Sequence, residues 1–78
     1  MAGDVRERVI KVVAETLNLE PSQINDESRF VEDLGAESMQ SVELIAAFEE
    51  EFDIEMDEEE ALEVKTVGKA IEFIEKML

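Results

Sequence analysis

Residues 35–52 read GAESMQSVELIAAFEEEF, and this stretch carries the clearest helical pattern of the chain. Gly35 permits a turn, and Ser38 is a residue type favoured at the N-cap of a helix. At about 100° per residue, one side of a helix beginning at Ser38 collects a core stripe. Its members are Ser41, Leu44, Ile45, Phe48 and Phe52. The spacing predicts a helix from Ser38 to about Phe52 with one buried face.

The opposite face of this predicted helix mixes apolar and acidic side chains, which is unusual for a purely solvated surface. Its members are Met39, Val42, Glu43, Ala46, Glu49 and Glu50. No Lys or Arg lies between Arg29 and Lys65, and this interval holds fourteen Asp and Glu residues. Charge runs are usually solvated faces. An apolar strip edged by carboxylates, however, suits a basic and partly apolar partner surface.

Three further helices are predicted around this one. The first opens at Asp4, which can form a capping box with Glu7, and ends near Leu17. The third is short, opens at Asp57 and includes Ala61 and Leu62. The fourth opens at Thr66 and has apolar residues at helical spacing, namely Val67, Ala70, Ile71, Ile74 and Met77.

A long irregular segment, residues 18–37, separates the first two helices. Asn18 can adopt the left-handed conformation that ends the first helix. In the fourth helix, Gly68 is a weak point, because glycine has a low helix propensity. We expect four apolar residues to anchor the irregular segment to the core: Ile24, Phe30, Val31 and Leu34. The predicted fold class is therefore all-α, a small four-helix bundle of three longer helices and one short third helix, with a long first loop.

Composition excludes several classes of function. The 78 residues carry a formal net charge of −15, which argues against nucleic-acid and anionic-membrane binding. Cys and His are both absent, so the chain has no thiolate zinc site, no Cys nucleophile and no imidazole base. No apolar run approaches the ~20 residues of a membrane span. We expect one soluble domain over residues 1–78, with a cytoplasmic location and no specific metal site.

Ser38 is the main candidate for chemistry. A hydroxyl at a helix N-terminus lies near unpaired backbone N–H groups, where an attached phosphate would be well placed. The plainer interpretation is that Ser38 only caps the helix. A serine hydrolase is a poor alternative, because no His is available to accept the hydroxyl proton.

Several segments, taken in order, resemble an acyl carrier protein of the fatty-acid or polyketide type. They are Phe30-Val31-Glu32-Asp33-Leu34, Gly35-Ala36-Glu37-Ser38-Met39, Val42-Glu43-Leu44, Phe48 to Glu55, and Lys65-Thr66-Val67-Gly68. The match covers nearly the whole chain. The family pattern at the modified serine is usually Asp-Ser-Leu, and Glu37-Ser38-Met39 departs from it in a way that indicates a specialised carrier.

The resemblance implies that Ser38 is the attachment site of 4′-phosphopantetheine, transferred from coenzyme A by a phosphopantetheinyl transferase. The thiol of that arm would carry acyl groups as thioesters, and the protein itself would be a non-catalytic carrier. The resemblance also implies that the acyl chain enters the bundle. Candidate residues for lining that interior are Phe48, Met56, Ala61, Leu62 and Ile71.

Partner enzymes of acyl-chain synthesis and transfer, with basic docking surfaces, are implied as well. The docking residues we expect are Glu37, Met39, Val42, Glu43, Ala46, Glu49, Glu50, Glu55 and Glu60. We expect a monomer. Two alternatives remain: an acidic interaction module with Ser38 unmodified, and an aminoacyl carrier. Peptidyl carriers usually show Gly-Gly-x-Ser, so Gly35-Ala36-Glu37-Ser38 favours the acyl class.

Overall fold

The structure is a computed structural model that describes the backbone of residues 2–78 and the side chains of residues 5–78. It contains helices α1 (Ala2–Leu17), α2 (Ser38–Phe52), α3 (Glu58–Leu62) and α4 (Val67–Met77). A single 3₁₀ turn, Pro21–Gln23, lies in the loop after α1. Within residues 2–78 no strand forms, and Arg29 and Thr66 make an isolated antiparallel bridge. The predicted all-α bundle with one short third helix is confirmed.

Helix α1 begins earlier than predicted but ends where expected. It starts at Ala2, so Asp4 lies inside the helix and is not its N-cap, and the Asp4 side chain is outside the described ones. At the other end, Asn18 has φ = 58°, the left-handed conformation that a helix C-terminus favours. The Leu19 N–H donates to the Ala14 carbonyl at 2.8 Å, which completes a Schellman-type end.

Helix α2 has a different N-cap from the predicted one. Glu37 is the N-cap, with extended backbone angles, and Ser38 is the first helical residue. The reason is a capping-box contact, since the Glu37 N–H donates to Oε1 of Gln40 at 2.9 Å. The predicted end at Phe52 is confirmed, and Asp53 follows with φ = 53°.

The caps of α3 and α4 agree with the sequence. The Asp57 carboxylate accepts from the Glu59 N–H at 2.9 Å, and Thr66 Oγ1 accepts from the Lys69 N–H at 3.2 Å. Gly68, predicted as a weak point, lets the first loop approach α4. Its N–H donates to the Asp26 carbonyl at 2.8 Å, and a Cβ on Gly68 would lie only 2.9 Å from that oxygen.

The core lies where α1 packs against α2 and α4, while α3 packs against α2. Four side chains are almost completely buried there: Val9, Val13, Val67 and Ile74. Of the predicted loop anchors, Ile24 and Phe30 are buried and Leu34 packs partly against the core.

Val31 was predicted wrongly as an anchor, because its side chain is 57% exposed. A tight turn explains this, since the Asp33 and Leu34 N–H groups both donate to the Arg29 carbonyl at 3.0 Å. The turn directs Phe30 inward and the next residue outward.

In the part of the chain that the structure describes, no helix combines the length and apolarity required to cross a membrane.

Candidate functional site

Ser38 lies at the first position of a 15-residue helix, and its side chain is exposed. By helix geometry, the backbone N–H groups of Ser38 and Met39 precede the first intrahelical hydrogen bonds. The hydroxyl of Ser41, one turn further along, points back to the Glu37 carbonyl at 3.4 Å. An anionic group on Ser38 would therefore lie beside free N–H donors at the positive end of α2. The position fits a phosphodiester link.

A cavity of about 80 Å³ opens beside α2, and Ser41 is part of its lining. Four of the five side chains proposed from sequence line it: Phe48, Met56, Ala61 and Leu62. Ile71 does not line the cavity and is buried in the core. Because Ser41 is one helical turn from Ser38, this part of the cavity lining lies close to the candidate attachment point.

The remainder of the cavity wall was not foreseen as such. The lining residues missed are Phe30, Val31, Leu44, Ile45, Val64 and Ala70, with Glu32, Ser41 and Lys65 supplying polar groups. The sequence pattern predicts Phe30 and Val31 only as loop anchors, and Leu44 and Ile45 only as members of the core stripe. The sequence signal available for the loop side was the adjacent apolar residues Phe30 and Val31. Their contact with the segment at residues 64–65 depends on the tertiary structure.

Backbone hydrogen bonds fix the loop side of the cavity. The Phe30 N–H donates to the Lys65 carbonyl at 3.0 Å, and the Val67 N–H donates to the Ser28 carbonyl at 3.0 Å. These bonds flank the Arg29–Thr66 bridge. The first loop and the segment before α4 therefore form one connected wall.

The exposed face of α2 keeps the mixed character that its sequence predicts. Met39 is 77% and Val42 is 48% exposed, and Ala46, Glu43 and Glu50 are exposed beside them. Glu37, Glu55 and Glu60 are exposed as well. These residues present apolar atoms and carboxylates together on the surface.

Glu49 differs from the other acids of this face. It is half-buried, and its Oε2 accepts a hydrogen bond from the Met56 N–H at 2.8 Å. Its carboxylate therefore has a partner within the fold, which the helical wheel does not reveal.

Charge compensation is uneven along α2. Arg8 pairs with Oε2 of Glu51 at 2.7 Å and lies 4.4 Å from the centre of the Phe52 ring. Among the described side chains, no Lys or Arg forms an ion pair with Glu43 or Glu50. Their negative charges therefore face solvent uncompensated.

The loop before Ser38 contains the clearest pKa shift. Hydrogen bonds from the Arg29 guanidinium and backbone N–H hold the pKa of Asp33 below its ordinary value. The backbone N–H of Arg29 reaches Oδ2 of Asp33 at 2.8 Å, and its Nε reaches the same oxygen at 3.1 Å. This pair fixes the turn that leads to Gly35 and the start of α2.

Within the described side chains, no cluster of three acids has the geometry to hold a metal ion.

Comparison with known proteins agrees with this site. A family described as the phosphopantetheine attachment site matches residues 7–74. The chain is 48% identical over 76 residues to an acyl carrier protein of Phenylobacterium zucineum, covering 97% of this chain and 96% of that protein. It is also 48% identical over 72 residues to an acyl carrier protein of Caulobacter vibrioides, covering 92% of each.

Members of this family carry covalently attached 4′-phosphopantetheine, and acyl carrier proteins are carriers rather than catalysts. The matched region contains the whole of α2 with Ser38, the cavity and the acidic face. The chain therefore belongs to the phosphopantetheine-attachment family and, within it, to the acyl carrier proteins, and it is not an enzyme.

Proposed function

We propose that Ser38 carries the 4′-phosphopantetheine arm and that the chain presents acyl groups to enzymes of fatty-acid or related, specialised acyl biosynthesis. The observation that carries this proposal is the exposed Ser38 residue at the start of α2, one helical turn from Ser41, which lines the cavity. When bound, the arm supplies a thiol that holds acyl groups as thioesters. The protein supplies no catalytic base, which suits a chain without His.

In this proposal, different residues of α2 bind the arm and attract partner enzymes. Ser38 and the N–H groups of its helix start bind and orient the anionic link of the arm. Glu43 and Glu50, uncompensated and exposed, attract basic partner surfaces and raise the association rate. Exposed ion pairs add little lasting affinity, so docking stays reversible. Serial delivery to several enzymes requires this combination.

The cavity is the proposed shelter for the acyl chain. Its volume, about 80 Å³, is smaller than the ~150 Å³ of an apolar cavity that admits benzene. A longer chain therefore requires the walls to move apart. Helix α3 has five residues, of which only Ala61 is buried, so its displacement exposes little core. Chain entry is accordingly expected on the α3 side.

The proposed partners are a phosphopantetheinyl transferase and acyl-chain synthesis and transfer enzymes. We propose a monomeric acyl-carrier domain spanning residues 1–78 that works in the cytoplasm, as the likeness to acyl carrier proteins suggests. Neither an aminoacyl cargo nor an unmodified interaction module has a specific observation in its favour.

The test is direct loading with an acyl group. The chain is incubated with octanoyl-coenzyme A and a broad-specificity transferase, and its intact mass is measured before and after hydroxylamine treatment. We expect a gain equal to the acylated arm, with hydroxylamine removing only the acyl part because it cleaves thioesters. A chain that gains no mass would be an interaction module, and the proposal would be wrong.

A further inference from the structure

The segment between α2 and α3, residues 53–57, is held at its start by Glu49. The Glu49 carbonyl accepts from the Asp53 N–H and, at 3.1 Å, from the Ile54 N–H. Its side-chain Oε2 accepts from the Met56 N–H at 2.8 Å. Glu49 therefore accepts hydrogen bonds from three backbone N–H groups of the segment that leads to the α3 cap at Asp57.

The two sides of the cavity are held differently. On the loop side, backbone hydrogen bonds from Phe30 to Lys65 and from Val67 to Ser28 join the first loop to the segment before α4. On the α3 side, the Met56 side chain lines the cavity, and the Met56 N–H is bonded to the Glu49 carboxylate. Met56 is immediately followed by Asp57, which caps a helix of only five residues. The hydrogen bond between the Met56 N–H and the Glu49 carboxylate thus joins α2 to the α3 side of the cavity wall.

We propose that Glu49 is a positioning residue for the acyl cavity and that its role in this chain is to hold the Met56–α3 wall closed, rather than to dock partners. This inference rests on the proposed function, because it takes the cavity as the shelter of the acyl chain. The hydrogen bond is charge-assisted and half-buried, which makes it stronger than an exposed neutral one. Glu43 and Glu50 lie exposed on the same helix and have no such hydrogen bond, so their carboxylates remain available for docking.

The first measurement uses amide hydrogen exchange on the unmodified full chain, so it does not depend on loading. Glu49→Ala removes the acceptor, and loss of a bond to a charged group should speed exchange of the Met56 N–H roughly 10- to 100-fold. The α3 amides should follow, while the core amides of Val9 and Val13 should change far less. Glu49→Gln keeps a side-chain carbonyl acceptor and should restore most of the protection. Glu50→Ala, a matched loss of one carboxylate, should leave Met56 unchanged.

The second measurement uses the acylated protein and follows thioester hydrolysis. Glu49→Ala should lose its octanoyl group several-fold faster than the wild type, with Glu49→Gln and Glu50→Ala close to the wild type. Equal acceleration of exchange throughout the chain would show a general loss of stability and overturn the proposal. So would unchanged Met56 exchange, or unchanged hydrolysis in Glu49→Ala. Failure of the proposed function would be recognised separately, as a wild-type chain that gains no acyl mass.

Discussion

Arg29 contacts the Asp33 carboxylate through both its guanidinium and its backbone N–H, and these hydrogen bonds lower the pKa of Asp33. A lowered folded-state pKa stabilises the fold above the unfolded value of about 3.9, and this contribution is lost as the pH falls through the folded value. A carboxyl NMR titration should therefore give Asp33 a midpoint below about 3.9. In Arg29→Ala the midpoint should move up part of the way, because the backbone donor remains. Equal midpoints in the two chains would contradict the assignment.

Gly68 lies so close to the first loop that a side chain does not fit there, which the sequence pattern does not reveal. Because a Cβ there would lie 2.9 Å from the Asp26 carbonyl oxygen, Gly68→Ala must push the first loop away from α4. We expect a loss of about 1–3 kcal/mol in the free energy of unfolding, the usual range for overpacking. Urea denaturation measures it. Lys69→Ala, at the next and exposed position, is the control, and a Gly68→Ala variant as stable as this control would show that the loop yields freely.

Helix α2 carries the proposed docking surface. Glu43→Lys and Glu50→Lys should raise the KM of a transferase or acyl-transfer partner on the order of tenfold at low salt, with kcat little changed, because steering acts before chemistry. The difference from the wild type should shrink at high salt. Far-UV circular dichroism should stay constant, since both side chains are exposed.

The control for this experiment needs a site away from the proposed docking face. Glu15 on α1 lines the same shallow groove as Glu50 and Glu51, so its reversal would not be independent. Glu75 on α4 is exposed and makes no ion pair among the described side chains. If Glu75→Lys slowed partner turnover as much as Glu43→Lys, the negative charge would act only in bulk.

Helix positions were predictable from sequence to the extent that local chemistry sets them. Asp57 and Thr66 cap their helices as predicted, because Asp and Thr side chains bond the nearby N–H groups without help from the tertiary fold. The predicted N-cap of α2, Ser38, was wrong by one residue, because the side chain of Gln40 accepts from the Glu37 N–H and makes Glu37 the cap. The bond from Glu49 to Met56 spans seven residues and depends on the turn at Asp53, so periodicity could not predict it.

The formal net charge of −15 dominates the electrostatics of the molecule as a whole. Of the fourteen acids between Arg29 and Lys65, only Glu32, Asp33 and Glu51 pair with an arginine among the described side chains. The rest repel one another, and added salt shortens this repulsion to ~8 Å at physiological ionic strength. We expect the melting temperature to rise with NaCl, by about 4–8 °C for each 1 kcal/mol gained. Divalent salts should act at lower concentration; a flat trend would mean that the acids are already compensated.

The outline of the bundle was also predictable, since helical spacing located all four helices and the core stripe of α2. The cavity was only partly predictable. Its α2 and α3 side chains follow from helical faces, whereas Phe30 and Val64 meet through the backbone bond between Phe30 and Lys65. Ile71 has the same apolar character as the lining residues, and only packing shows that it belongs to the core.

We propose Ser38 as the single attachment site of the arm. The most direct measurement is the intact mass of the wild type, Ser38→Ala and Ser41→Ala after incubation with coenzyme A and a broad-specificity transferase, with fragment masses locating the added group. We predict one added phosphopantetheine in the wild type and in Ser41→Ala, located on Ser38, and none in Ser38→Ala. A Ser38→Ala chain that still gains the group, or a wild type that never does, would contradict the assignment of Ser38.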